Sequence, residues 1–313
     1  MGKKIDFHMH LGDIFHENLS ILFKKPYQYD HRPYVDPFDE LGASGYTTPL
    51  ITPDPNRMNV LIDAGQYRTW EMGGYAAVRG YMEESGIDYV VNMPILPNAN
   101  FEEGLACNKL CPGMLTFTCC DFDLPTDIML KKLRNDIARG AKGLKLHPIV
   151  QNVSPRDERI HRAIELFGEM GMPILTHCGV NDYYRMDSPH HDKTNMEYGE
   201  LYYALELIHK FPDYIIIPAH GGGTTGGEME ELAAEIKKNG WKHVYVETSH
   251  RGAPDMIKMI ELFGEDHVMY GSDFPFQTMK YELLEAEKAM DHFGDPEISE
   301  KFYYRNAARL LYL

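Results

Sequence analysis

His8-Met9-His10 closes an apolar run near the start of the chain. Side chains alternate along a strand, so residues two apart project to the same side and both imidazoles can reach one ion. His177 ends the run Pro173-Ile174-Leu175-Thr176, His220 ends the run from Tyr214 to Ala219, and Asp273 follows Val268-Met269-Tyr270-Gly271-Ser272. A lone buried histidine is usually a satisfied core group, and an HxH triplet by itself is weak evidence. The shared position of these five residues, each C-terminal to an apolar run, carries the argument. Imidazoles plus a carboxylate match the ligands preferred by zinc and similar divalent ions, with an open position for water.

The elements that must position these residues are legible. Short apolar runs recur at 4–7, 89–93, 115–122, 143–146, 173–176, 214–219, 244–248 and 268–270. They are continuously apolar rather than alternating, as strands covered on both faces are. Stretches of helical period separate most of them, near 71–85, 126–138, 197–209, 228–238, 255–263, 281–292 and 299–311. A further helix follows Ser154, which can be its N-cap, with Pro155 in the first turn and Ile160, Ala163, Ile164 and Phe167 as one apolar stripe. Eight strands alternating with helices predict a parallel (β/α)8 TIM barrel, formed as one domain over residues 1–313.

Two connections break the even spacing. Residues 12–70, after the first strand, are rich in Pro, Tyr, Asp and Gly and include Tyr27, Tyr29, Arg32, Tyr34, Tyr46, Arg57 and Arg68. So long an excursion on a barrel is expected to be a lid-like insertion that supplies substrate contacts. The second connection, 179–195, carries Asp182, Arg185, His190 and His191. Both lie on the strand C-terminal side, where barrel active sites assemble.

With His8-Met9-His10, Gly143-Leu144-Lys145-Leu146-His147-Pro148, Thr176-His177, Ala219-His220-Gly221-Gly222, Gly271-Ser272-Asp273-Phe274-Pro275 and Asn306-Ala307-Ala308-Arg309-Leu310, the chain resembles the amidohydrolase superfamily. The branch it resembles includes aminocarboxymuconate-semialdehyde decarboxylase. The motifs stand in order along nearly the whole chain, and only 12–70 is unmatched. The resemblance implies that His8, His10, His177 and Asp273 bind one divalent ion, zinc foremost, with His220 beside it as acid/base. From position alone, His220 could equally be a ligand.

Other residues have two readings. Some superfamily members carry a carboxylated lysine that bridges two metals, but Leu146-His147-Pro148 resembles the single-metal branch, which favours an uncarboxylated Lys145, its ammonium paired or facing a substrate anion. His147 could touch substrate or cap the strand. Arg251 could clamp a carboxylate or be merely solvated. Gly221, Gly223 and Gly226 satisfy GxGxxG, with Glu247 about twenty residues on, as in a dinucleotide fold. Against that, Glu228, Glu230 and Glu231 crowd the start of the next helix, where a pyrophosphate needs positive potential.

Composition bounds the partners. Acidic residues outnumber basic ones 47 to 31, for a net charge of -16, so nucleic acid would be repelled. No apolar run approaches the roughly 20 residues of a membrane span, and the start lacks a signal peptide's apolar region. The expected compartment is the cytoplasm, and the five cysteines read as free thiols, mostly buried. Residue chemistry and resemblance together predict a metal-dependent hydrolase of a small, carboxylate-bearing lactone, ester or amide. Metal activates the water, Asp273 takes its proton and His220 assists the leaving group. The alternatives are a metal-dependent non-oxidative decarboxylase of the same fold and, in another class, a dinucleotide-dependent oxidoreductase using Gly221 to Gly226. Assembly into a homo-oligomer stays open.

Overall fold

The computed structural model describes residues 2–16, 21, 22, 38 and 55–313. The expectations for Tyr27, Tyr29, Arg32, Tyr34 and Tyr46 lie outside the described residues. The apolar runs become strands: β1 (Ile5–Met9), β2 (Tyr89–Asn92), β3 (in two segments, Met114–Thr116 and Thr118–Cys119), β4 (Leu144–Leu146), β5 (Ile174–Thr176), β6 (Ile216–Pro218), β7 (Val246–Glu247) and β8 (Val268–Met269). All pair in parallel. β3 changes partner in mid-course, its first segment pairing with β2 and its second with β4. A bridge from Ile216 to Val244 carries the sheet from β6 towards β7, and a bridge from Met9 to Phe274 returns it from β8 to β1. This is the (β/α)8 barrel expected from the sequence.

The pleat sorts the side chains. Ile5, Phe7, Val91, Met93, Leu115, Phe117, Leu175, Ile217, Ala219, Tyr245 and Met269 pack together inside the barrel. Their neighbours Val90, Met114, Leu144, Leu146, Ile174, Ile216, Val246 and Val268 pack against the helices. Ala307, Ala308, Leu310 and Leu311 of the last helix (Asn306–Leu311) join the interior cluster and plug the end opposite the strand carboxyl termini. Continuing each inward series by two residues leads from apolar to polar groups: Leu175 to His177, Tyr245 to Glu247, and Met269 through Gly271 to Asp273. On β4 the inward position between Leu144 and Leu146 is Lys145.

β1 departs from this alternation where the chemistry needs it. Ile5 and Phe7 belong to the interior, but Met9 packs with the helix-side cluster, and the register shifts between Asp6 and Met9. Such an irregularity re-aims side chains next to a site. Here it turns His8 and His10 into the barrel mouth above Phe7.

Several helices differ from expectation in instructive ways. The helix after Ser154 runs Glu158–Gly168 with Asp157 as its cap, accepting from the Arg159 amide; the apolar stripe is buried as expected. The insertion ends in a helix, Pro55–Met72, rather than in loop, and Tyr75–Ser85 follows as a separate helix. Phe101–Leu110 is a helix that periodicity does not reveal, capped by Asn100. The cysteines are all free, and all but Cys111 are buried. Among the described residues no helix is long and apolar enough to cross a membrane.

Barrel closure at the site rests on a buried carboxyl. Asp6 accepts from the Ser272 amide at 2.9 Å, the Ser272 hydroxyl at 2.5 Å and the His8 amide at 3.2 Å. Removing a partner from a buried group costs about 1–3 kcal/mol. Ser272→Ala should therefore lower stability by about that amount in urea unfolding. A loss within error of zero would mean that the Asp6 contacts do not hold β8 to β1.

Candidate metal centre and active site

Two main-chain bonds fix the relative position of β1 and the segment after β8: the His10 amide donates to Phe274 O at 2.7 Å and the Asp273 amide to His8 O at 2.7 Å. Each imidazole is then oriented through its Nδ1. His10 Nδ1 meets Met93 O at 2.7 Å, and His8 Nδ1 meets Glu247 Oε1 at 3.1 Å. The two Nε2 atoms are left near Asp273 Oδ1, at 3.0 Å from His10 and 3.4 Å from His8. That oxygen is buried and has no hydrogen-bond partner. A carbonyl or carboxylate on the far nitrogen of a histidine is how metal-binding imidazoles are held in the right tautomer. The donor chemistry and the orphaned Asp273 Oδ1 fit a divalent cation at His8, His10 and Asp273.

Glu247 ties this centre to its neighbour. Its Oε1 also accepts from the His220 amide at 2.7 Å and its Oε2 from the Ser249 amide at 2.9 Å. Burial pushes the carboxyl up, but His8, the His220 amide and Ser249 bring it down to about 2, so it stays ionised. Gly271 makes room for it: a Cβ there would lie 2.6 Å from Glu247 Oε2 and 3.3 Å from His8 Cβ. Burial likewise pushes Asp273 up, yet His8, His10 and His250 hold it well below the usual carboxylate range.

His220 Nδ1 meets Ser249 Oγ at 2.6 Å, and its Nε2 faces His177 Nδ1 at 3.2 Å. It falls in two groups with metal-ligand spacing, one with His8 and Glu247 and one with His250 and Asp273. His177, expected as a ligand, is joined to the centre through His220. Its Nε2 meets Tyr183 Oη at 3.0 Å and Gly179 O at 3.1 Å, and it belongs to none of the groups with ligand spacing among the described residues. His147 Nδ1 caps the short helix Pro148–Gln151, and its ring stacks on His177 at 4.2 Å and lines the cleft.

Lys145 and Arg251 do not line the cleft. Lys145 is buried with Nζ 3.1 Å from His8 Nε2, and burial lowers it to about 8 against the pull of Asp273 and Glu247. Arg251 is buried too, and Nη2 donates to His220 O at 2.6 Å and to Gly223 O. It steadies the turn after β6 instead of waiting for a substrate acid.

The same turn disposes of the dinucleotide reading. The Glu228 carboxylate accepts from the Thr225 amide at 3.0 Å and the Gly226 amide at 2.6 Å, occupying the amides that a pyrophosphate would need. Glu247, the ribose acid of that reading, is spent on His8 and His220.

Sequence reasoning missed His250, whose Nε2 lies 2.7 Å from Asp273 Oδ2, and Ser249. His220, His250 and Asp273 all have left-handed backbones, with φ of 56°, 61° and 54°. Non-glycine residues seldom adopt this conformation, and it concentrates at functional sites. Sequence alternation gives no signal for His250, which the inward series Tyr245, Glu247 and Ser249 skips; its left-handed backbone accompanies its approach to Asp273.

Above the centre a cleft is walled by Ile14, Phe15, Phe38, Met58, Leu61 and Ile62 of the insertion, by Phe276, and by Asn181, Asp182 and Tyr183 of the loop after β5. His10, His147, His177, His220, His250 and Asp273 contribute to the same surface. Arg68 does not reach it, because its guanidinium donates to Pro275 O at 3.1 Å and Phe276 O at 2.8 Å.

Comparison with known proteins agrees with this architecture. The amidohydrolase family model matches residues 5–313. No curated protein matches the sequence. Similar solved structures include an uncharacterized TIM-barrel protein from Bordetella bronchiseptica, 15% identical over 99% of this chain and 98% of that one, with a TM-score of 0.62. A probable 2-pyrone-4,6-dicarboxylic acid hydrolase from Acinetobacter baumannii, with citric acid bound, is 11% identical over 100% of both chains, with a TM-score of 0.57. 5-Carboxyvanillate decarboxylase from Novosphingobium aromaticivorans, complexed with manganese and 4-hydroxy-3-methoxy-5-nitrobenzoic acid, is 15% identical over 99% of this chain and 96% of that one, with a TM-score of 0.60. At these identities the likeness establishes the fold.

The histidines make stability depend on pH. Burial lowers His10 to about 4 and His177 to about 3, and places His147 and His220 well below the ordinary value of 6.5. Below pH 6.5 unfolded imidazoles take up protons that the folded ones refuse until about pH 4, so folding weakens as pH falls through that window. Asp6, raised to about 7, and Glu282 and Asp182, also raised by burial, work in the opposite sense, three carboxyls against the four imidazoles, while the depressed Glu247 and Asp273 add to the loss below their unfolded values. Chelator-treated protein should show a urea midpoint that falls steadily from pH 6.5 to 4. A midpoint that is flat or rises on acidification would contradict the burial of neutral histidines.

Proposed function

Since the chain belongs to the amidohydrolase family, we propose that it is a metal-dependent decarboxylase of a small carboxylic acid, placing that reaction ahead of the hydrolysis favoured by sequence alone. One observation carries the choice. Among the described residues lining the cleft there is no lysine or arginine, and what they offer a substrate's acid group is the positive charge of the metal centre. A hydrolytic substrate with its carbonyl at the metal and a carboxylate elsewhere would find no lysine or arginine for that carboxylate among the described lining residues. The similarity to a manganese-containing decarboxylase supports the same order.

In this reading His8, His10 and Asp273 hold the ion, with His177 drawn in as the fourth ligand that the family resemblance implies. Zinc suits two or three imidazoles and a carboxylate, and manganese is its competitor. When bound, the ion supplies positive charge that polarises and orients the substrate's oxygens. The protein's own groups do the rest. Glu247 and Met93 O keep the imidazoles of His8 and His10 aimed. Phe15, Phe38 and Phe276 exclude water above the centre, with residues 12–70 as the cover of a single-domain barrel. His220, held by Ser249 and the Glu247-bound amide and neutral at rest, takes up the incoming proton and passes it to the carbon that loses carbon dioxide. The balance is one substrate carboxylate and one proton in, one carbon–hydrogen bond and one carbon dioxide out.

The direct test is to incubate zinc- or manganese-loaded protein in deuterium oxide with hydroxybenzoates on one side and pyrone lactones on the other. Decarboxylation releases carbon dioxide and leaves one deuterium at the vacated carbon. Ring opening without carbon dioxide would instead establish the hydrolase. A second measurement concerns His220: His220→Asn should keep metal content near wild type while turnover falls by about a hundredfold or more. Loss of metal in parallel with activity would make His220 a ligand.

A further inference from the structure

Asp182 is the only carboxylate besides Asp273 in the described lining of the cleft. Its side chain is 24% exposed, with Oδ1 3.5 Å from His191 Nε2. The segment around it is tied to the insertion. Gln66 Nε2 donates to Tyr183 O at 2.7 Å, Tyr184 Oη to Phe15 O at 2.9 Å, and Arg185 Nη1 lies 3.1 Å from Asp63 Oδ2. Tyr183, the next residue, is anchored over His177 and stacks on Phe15 at 5.8 Å. Asp182 is therefore a wall residue in a fixed segment.

The wall's chemistry restricts what can lie between it and the metal centre. Phe15, Phe38 and Phe276 favour a flat apolar body. Burial raises the Asp182 carboxyl while His191 beside it favours the charged form; as a carboxylate in a half-buried wall it repels a second acid group and accepts a strong hydrogen bond from a donor. We propose that Asp182 is a specificity-determining residue, selecting small aromatic monocarboxylates that carry a hydroxyl or amino donor on the ring and rejecting dicarboxylates. This rests on the reading of the site as one that binds a carboxylic acid, but binding tests it without turnover.

The test is calorimetric titration of zinc-loaded full-length protein with benzoate, 3- and 4-hydroxybenzoate, isophthalate and terephthalate. One hydroxybenzoate should bind at least tenfold tighter than the matching dicarboxylate. Asp182→Asn should narrow that ratio several-fold, chiefly by strengthening the dicarboxylate. Asp182→Leu should abolish the advantage of the hydroxybenzoate over benzoate, a change of ratio that general damage to the loop, weakening both ligands alike, would not produce. Equal binding of the dicarboxylate by wild type, or an unchanged ratio in Asp182→Asn, overturns the assignment. If no aromatic acid binds at millimolar concentration, the substrate class is overturned. If the ratios hold but no carbon dioxide is ever released, the selectivity stands and the decarboxylase reading fails.

Discussion

Two ionised carboxylates buried in the barrel mouth set the terms for everything around them. Glu247 and Asp273 are withdrawn from water, where a bare charge is prohibitively unfavourable. The imidazoles of His10, His177, His147 and His220 are neutral at pH 7, so among the described residues the buried ammonium of Lys145 faces two negative groups. Backbone amides satisfy Glu247. Asp273 Oδ1 has no such donor, and two imidazole nitrogens stand beside it. A divalent cation supplies what the protein omits, positive charge at that oxygen, and the site reads as built around it.

From this constraint the local distortions follow. The register shift in β1 brings His8 and His10 to the interior, the missing side chain at Gly271 admits Glu247, and the left-handed backbones at His220, His250 and Asp273 aim their side chains inward. Each departs from regular strand geometry, at about 1–3 kcal/mol for a left-handed non-glycine residue. The interior below is conventional: Phe7 and Phe117 meet edge to face at 5.9 Å, and the last helix plugs the base. The apolar half of the barrel provides the rigidity that lets the polar half be irregular.

The eight strands were readable because parallel strands buried on both faces are continuously apolar, and the barrel followed from their count. His8, His10 and Asp273 were readable because each ends such a run, and the structure brings them together. What was hidden depends on three-dimensional pairing. Glu247 looked like the acid of a nucleotide motif until Gly271 and β1 placed it under His8. Arg251 looked exposed because sequence does not show that main-chain oxygens will capture a guanidinium. His250 follows no apolar run directly, and Phe101–Leu110 has a short, weakly periodic buried face, so neither announced itself. Asp182 was visible as a charge in a long loop, and only the cleft gave it a role.

The central claim is that this barrel mouth is a cation site whose ligands are held from behind by Glu247 and Met93 O. A crystal of zinc-soaked protein, with anomalous data on both sides of the zinc edge, tests it most directly. The account predicts one peak per chain, bonded to His8 Nε2, His10 Nε2 and Asp273 Oδ1 with His177 as the fourth ligand, and with Glu247 still on His8 Nδ1 and outside bonding distance. A peak bonded to Glu247, or two peaks bridged by a carboxylated Lys145, would contradict it.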